Sequence, residues 1–242
     1  MPSISVVIPA FNEASRLPPT LRRLRDYLTT RPGTYEILVV DDGSSDGTAE
    51  AVRQVECPGL EVLRTEANHG KGHAVRLGML RARGERILMT DADLSTPIED
   101  LERLLPSLTK GYDVAIGSRA LPGADIQVHQ PWYRENAGRV FNLLVRLLVL
   151  PGLRDTQCGF KVWNAGAARE AFAAGRLDGF CFDVEALYLA RKRGRRIVEV
   201  PVTWRNDVAS RVGALRGSAA FLDLVRIRVN DWRGLYAPIQ GL

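Results

Sequence analysis

Short apolar runs rich in β-branched residues recur through the first half of the chain, and each gives way to polar or turn-forming residues before a stretch with helical periodicity. Residues 4–8 and 37–40 are such runs, with a helix-like stretch over 17–28 between them. A helix over 48–55, a strand over 60–63, a helix over 74–82 and a strand over 87–89 continue the pattern. Repeated strand–helix–strand units predict an α/β fold with a mostly parallel sheet covered by helices on both faces. In open sheets of this kind ligands collect beyond the carboxyl ends of the strands. Asn12 and Glu13, Asp41 and Asp42, and Asp91 and Asp93 all follow strands, so they are expected along one edge. A further helix is expected from Pro97, capped by Thr96, and a buried strand over 114–116. Beyond residue 117 the texture changes to an apolar segment over 140–150 closed by Pro151-Gly152, then loops, a helix over 184–193 and a strand over 197–202. No repeat or low-complexity linker intervenes, and 242 residues suffice for one full core, so one domain with halves 1–117 and 118–242 is expected.

Composition narrows the classes. With 45% hydrophobic and 25% charged residues the chain is an ordinary globular protein, not a disordered one. Cys57, Cys158 and Cys181 are odd in number and form no Cys-x-x-Cys pair, which excludes a disulfide framework or zinc ribbon and fits a reducing cytosol. The N-terminus carries no basic segment followed by an apolar stretch, so no signal peptide is expected. No run reaches the roughly 20 apolar residues of a spanning helix, since Asn142 and Arg146 interrupt the longest. The net charge of +5 is concentrated late in the chain: residues 189–233 hold eleven Arg/Lys against four Asp/Glu. Such an excess suits an anionic membrane surface or a phosphate group, or is simply a solvated face. Nucleic acid is disfavoured because aromatic side chains are not interleaved with the basic ones as stacking platforms.

Asp91-Ala92-Asp93 follows the strand Ile87-Leu88-Met89, where a loop can aim both carboxylates. Hard divalent ions such as Mg²⁺ take one or two carboxylates and leave other positions to phosphates, whereas the plain alternative is a capping and a turn aspartate. Residues 42–47 mimic the start of a calcium loop, but Arg53 stands where the bidentate carboxylate is needed, and Ser44 to Asp46 read better as helix capping. Asn68-His69-Gly70-Lys71-Gly72 is neither a P-loop nor a dinucleotide fingerprint, although its glycines permit close backbone approach to a ligand. His69 and His73 have helical metal spacing, but the two intervening glycines favour a loop. Asp155-Thr156-Gln157-Cys158-Gly159-Phe160-Lys161 sets polar residues between apolar stretches, and Phe180 to Glu185 reads as a helix start with acidic residues in its first turn.

Together these segments resemble the family-two inverting glycosyltransferases of the GT-A fold, and more closely their dolichyl-phosphate glucosyltransferase and polyprenyl-phosphate hexosyltransferase branch. The resemblance runs in order through Val6 to Glu13, Val40 to Ser44, Asn68 to Gly72, Asp91 to Pro97, Gly117-Ser118-Arg119, Asp155 to Lys161, and Trp204 with Ser210-Arg211. It implies a Rossmann-like sheet, with residues 1–117 binding a nucleotide sugar and 118–242 the acceptor. Pro9, Asn12, Glu13, Asp41 and Asp42 look like the nucleoside pocket, extended by Lys71, Asp91 and Ala92 as donor contacts. Asp91 and Asp93 look like the clamp for Mg²⁺ or Mn²⁺ and diphosphate. Asp155 and Gln157 are similar to residues at the reacting centre, and Arg119, Arg134 and Arg211 to acceptor or phosphate-binding arginines. Asp155 only orients a lipid phosphate acceptor but acts as a base toward a hydroxyl. The implied activity is hexosyl transfer, from UDP-glucose with GDP-mannose as the runner-up, to a polyprenyl phosphate. Relatives in this branch carry membrane anchors that the sequence lacks, so the expectation is a cytoplasmic protein held peripherally at the inner face of the membrane, with 140–150 in the interface. A soluble transferase using a hydroxyl acceptor and a non-catalytic binding module are the alternatives. The intact carboxylate set argues against the second.

Overall fold

The computed structural model describes residues 1–128, 131–206 and 214–237. In chain order the elements are β1 (Ile4–Ala10), α1 (Leu17–Thr29), β2 (Tyr35–Asp41), α2 (Thr48–Arg53), β3 (Leu60–Arg64), α3 (Lys71–Arg81), β4 (Arg86–Met89) and α4 (Leu101–Thr109). They continue with β5 (Val114–Ser118), β6 (Asp125–Val128), α5 (Trp132–Leu148), β7 (Lys161–Asn164), α6 (Ala165–Ala174), α7 (Phe182–Lys192), β8 (Ile197–Pro201), β9 (Thr203–Arg205) and α8 (Ala214–Trp232).

Among the described residues seven strands form one sheet in the order β3-β2-β1-β4-β7-β5-β8, in which only β7 is antiparallel to its neighbours. β6 and β9 make a separate parallel ladder. Every residue of β1 is buried, and its period-two alternation divides the core between the two faces. Val6 and Ile8 face the leucines of α1 and α4, whereas Val7 packs with Val75 and Met79 of α3 and with residues of α6 and α7. In α1, Leu17, Leu21, Leu24 and Leu28 recur at helical spacing and are buried, each contributing roughly 1.5–3 kcal/mol by leaving water. Pro9 is tolerated inside β1 because pairing with β4 stops at Val7–Met89, where a missing ladder donor costs little.

Several boundaries differ from the sequence expectation. Pro97 is extended (ψ 144°), so the expected helix becomes a single 3-10 turn, Ile98–Asp100, leading into α4. Thr96 caps nothing, and its hydroxyl faces the Cys158 sulfur at 3.9 Å. α3 begins three residues earlier than periodicity placed it, so His73 is helical. Its glycines serve close packing: the Gly72 N–H donates to the Asp178 carbonyl at 2.7 Å, and a Cβ on Gly72 would lie 2.5 Å from the Leu177 carbonyl oxygen. α2 ends at Arg53, and the late strand breaks at Val202 into β8 and β9. The apolar segment 140–150 is the end of a longer helix with two apolar faces. Val145, Val149 and Leu150 enter the core, while Val140, Leu143, Leu147 and Leu148 stay exposed. Phe141 meets Phe221 of α8 edge-on at 5.5 Å, and α8 adds exposed Leu222, Val225 and Trp232.

Candidate active site

The carboxyl ends of β1 and β2 are knitted together by short side chains. Asn12 adopts a left-handed conformation (φ 57°), its side-chain oxygen accepts the Ser45 N–H at 3.0 Å, and its own N–H donates to the Ser44 hydroxyl at 2.8 Å. The Glu13 N–H donates to the Thr48 hydroxyl at 2.9 Å, and its carboxylate pairs with Arg16. Pro9 lies buried in β1 behind them. Asp41 is fully buried; Oδ1 accepts the Ser44 N–H at 3.0 Å, and Oδ2 has no hydrogen bond, with Arg64 Nε 3.6 Å away. Asp42 accepts the N–H groups of His69 at 3.1 Å and Gly70 at 2.7 Å, which draws the start of α3 against β2.

At the end of β4, Asp91 and Asp93 border a cavity of about 130 Å³ whose wall also includes Thr96, Arg119, Gln157 and Trp204. Lys71 Nζ lies 2.6 Å from Asp91 Oδ1, and the buried Lys161 Nζ lies 2.6 Å from Asp183 Oδ1. The carbonyl of buried Ala92 accepts the Thr20 hydroxyl at 2.7 Å, which ties the loop to α1. Burial opposes ionisation of Asp91, but Lys71, then Lys161 and Arg119, hold its carboxyl below the usual range. Asp93 is shifted the other way, by burial and then by the charge of Asp91, although the Ser95 N–H bonds its Oδ1 at 2.9 Å. Two oxygen donors facing one cavity, one raising the pKa of the other, fit a hard divalent cation that would relieve their repulsion.

Asp155 is buried and clasped by Arg119: Nε to Oδ2 at 2.7 Å, Nη2 to Oδ1 at 2.9 Å, and the Arg119 N–H to Oδ2 at 2.9 Å. Burial raises its pKa, but Arg119 outweighs that and leaves the carboxyl below its ordinary value; the guanidinium is raised in turn. The guanidinium carbon lies 5.3 Å from the centroid of the Trp204 ring, within cation–π range. Glu199 fixes the loop from behind by accepting the N–H groups of Arg154 and Asp155 at 2.8 and 2.9 Å. Gln157 Nε2 is buried without a partner at the cavity wall, a donor left for a ligand. Gly159 brings the loop against Asp91, since a Cβ there would lie 2.1 Å from Asp91 Oδ2.

Thus Asp91, Asp93, Arg119 and Gln157 line the cavity, Lys71 and Asp155 bond to Asp91 and Arg119 of that lining, Ala92 lies between the two aspartates, and Pro9, Asn12, Glu13, Asp41 and Asp42 lie at the neighbouring strand ends. Arg211 and the side chain of Arg134 lie outside the described residues. Asp183, Glu199 and the stacking of Trp204 on Arg119 escaped sequence reasoning. The one available signal was a lysine and an aspartate in otherwise apolar company, at 161 and 183. The loop reading of His73 is overturned: it sits in the first turn of α3, and with His69 and Asp42 it forms a cluster whose ligand atoms lie within 4.8 Å of one another.

The Glycosyl transferase family 2 profile matches residues 5–170. The dolichyl-phosphate beta-glucosyltransferase ALG5C of Trichomonas vaginalis is 39% identical over 95% of this chain and 72% of its own length. The dolichyl-phosphate beta-glucosyltransferases of Homo sapiens and Saccharomyces cerevisiae are 35% and 32% identical, over 86% and 96% of this chain and 69% and 76% of their own. Among solved structures, mannosyl-3-phosphoglycerate synthase of Rubrobacter xylanophilus aligns with a TM-score of 0.70 at 20% identity, covering 99% of this chain and 77% of that one. Glucosyl-3-phosphoglycerate synthase of Mycobacterium tuberculosis, in complex with Mn²⁺, UDP and glucosyl-3-phosphoglycerate, aligns with a TM-score of 0.68 at 19% identity, covering 93% and 80%. The fold is GT-A, and the chain belongs to glycosyl transferase family 2 as a glycosyltransferase.

Proposed function

We propose that this enzyme transfers glucose from UDP-glucose to a polyprenyl or dolichyl phosphate, with inversion at the anomeric carbon. The observation that carries the reading is the state of Asp155. Its carboxylate is occupied by three donors of Arg119 and held low in pKa, so it is poorly suited to remove a proton and well suited to fix a guanidinium at the cavity wall. An acceptor that is already an anion requires no base, and Arg119 offers the charge to hold it. A phosphate oxygen then attacks the anomeric carbon as the bond to the nucleotide diphosphate breaks, and no proton moves. Gln157 supplies a further donor at the cavity, and Lys71, 2.6 Å from Asp91, supplies positive charge beside the carboxylate that would hold the ion. Pro9, Asn12, Glu13, Asp41, Asp42 and Ala92 shape the donor pocket. Mg²⁺ or Mn²⁺ at Asp91 and Asp93 would supply charge neutralisation of the diphosphate; the Mn²⁺ and UDP in the mycobacterial synthase support that assignment.

The lipid reading rests also on the names of the relatives and on the outer face of α5 and α8. Among the described residues no helix is long and apolar enough to cross a membrane. Leu147 is 71% and Trp232 86% exposed, beside exposed Arg139, Arg146, Arg226, Arg228 and Arg233. Apolar side chains fringed by arginines suit the interface of an anionic membrane, which would place the protein peripherally on the cytoplasmic side. Residues 1–242 would work as one transferase unit. The test is transfer of labelled sugar into the organic phase. UDP-glucose, polyprenyl phosphate and Mg²⁺ or Mn²⁺ together should give product. Product from GDP-mannose instead, or from a soluble hydroxyl acceptor at an equal rate, would replace this reading.

A further inference from the structure

We infer that Asp42, His69 and His73 form a second metal site, one for a zinc-class divalent transition ion, separate from the Asp91/Asp93 pair. Asp42 Oδ1 lies 3.8 Å from His69 Nδ1 and 3.9 Å from His73 Nδ1, and the imidazole rings stand 4.6 Å apart at 32°. Ligand atoms around tetrahedral zinc, with bonds of about 2.0–2.1 Å, are separated by about 3.3 Å, so a movement of about half an ångström brings each histidine nitrogen to that distance from Asp42 Oδ1, and all three ligand atoms already lie within 4.8 Å of one another. The carboxylate is already oriented for this role. The Gly70 N–H fixes Oδ2 at 2.7 Å, and the backbone that donates it also carries His69. Such outer hydrogen bonds hold the ligands of structural and catalytic metal sites in place. On the opposite side, His73 Nδ1 is buried without a hydrogen-bond partner, a costly state that a metal bond would remove. His69 is about half exposed, which leaves an open side for water as the fourth ligand.

The ligand set decides the ion. Two imidazoles and one carboxylate suit Zn²⁺, Co²⁺ or Ni²⁺, whereas the all-oxygen pair at Asp91 and Asp93 suits Mg²⁺ or Mn²⁺. The two sites therefore select different ions by chemistry. Resting on the donor reading above, in which Asp42 belongs to the nucleoside pocket, the ion and the donor would compete for that carboxylate. Ion binding itself does not depend on that reading, so the site is tested without nucleotide.

The experiment is titration of the full chain with Co²⁺ alone, followed by the visible absorption of the bound ion. The expected result is one saturable equivalent with the intense bands of a four- or five-coordinate site. Affinity should fall at least about tenfold in His69→Ala and in His73→Gln and persist in Asp93→Asn. Circular dichroism of each variant separates lost ligation from lost folding, and His73→Gln preserves a polar side chain in the first turn of α3. Absence of the bands, their persistence in both histidine variants, or their loss in Asp93→Asn would overturn the proposal.

Discussion

The inner wall of the cavity and the outer face of α5 and α8 are organised by opposite rules. Around Asp91 and Asp155 nearly every charge has a counter-charge at fixed distance: Lys71 on Asp91, Lys161 on Asp183, Arg119 on Asp155. On α5 and α8 the exposed residues include many large apolar side chains, among them Val140, Leu143, Leu147, Leu222, Val225 and Trp232, interspersed with exposed arginines. Desolvated charge must be paired or it shifts and neutralises, so the wall tolerates almost no substitution. An exposed leucine contributes little to the folded state, so its removal leaves stability alone and touches only what the face meets. Damage at the wall should therefore appear in catalysis or stability, and damage at the face in lipid binding.

The largest effect is expected from Asp93→Asn, which should cut transfer at least about a thousandfold with the melting temperature nearly unchanged. Retention of metal-dependent activity, read in the organic-phase assay, would remove Asp93 from the wall's function. Next is Arg119→Ala, with a loss of about a hundredfold or more in kcat/KM and a lower melting temperature, because buried Asp155 loses its partner. Arg119→Lys should recover little, since an ammonium cannot reproduce the two-pronged contact. Leu147→Ser with Leu148→Ser should weaken binding to anionic vesicles roughly tenfold while leaving donor affinity and melting temperature unchanged. Unfolding of that variant would erase the contrast between wall and face. The smallest effect is in acid stability. The Asp155 carboxyl titrates lower folded than unfolded, where about 3.9 is normal. Its contribution is thus complete above that value and lost as pH falls through the folded one. Asp155→Asn should flatten this part of the acid limb in a denaturation series.

Legibility in the sequence followed the physics of each segment. β1, α1 and β2 were readable because Val6 to Ile8 and the leucines of α1 carry strong periodicity, and Asp91 and Asp93 because carboxylates just after an apolar strand have few structural uses. β7 was not readable: it is four residues long and opens with Lys161, whose buried charge finds its counter-charge in Asp183, twenty-two positions later. His73 was misread because Gly70 and Gly72 act as packing surfaces against residues 177 and 178, a tertiary demand that overrides local propensity. α5 was read as an apolar unit, but Leu144 packs against the core while Leu147 stands in solvent, and only the neighbouring helices decide which.

The insertion of β7 between β4 and β5 bears on how the enzyme comes into being. β4 and β5 end at residues 89 and 118, yet the strand that joins them is residues 161–164. A chain emerging from its N-terminus can pair β1, β2, β3 and β4 early, while β5 waits for both of its neighbours, β7 and then β8. The joining strand, β7, is the direct continuation of the loop bearing Asp155, Gln157 and Gly159. Closing the sheet and delivering those groups to Asp91 are thus one event, late in synthesis, and a nascent chain that stops short of β7 has neither.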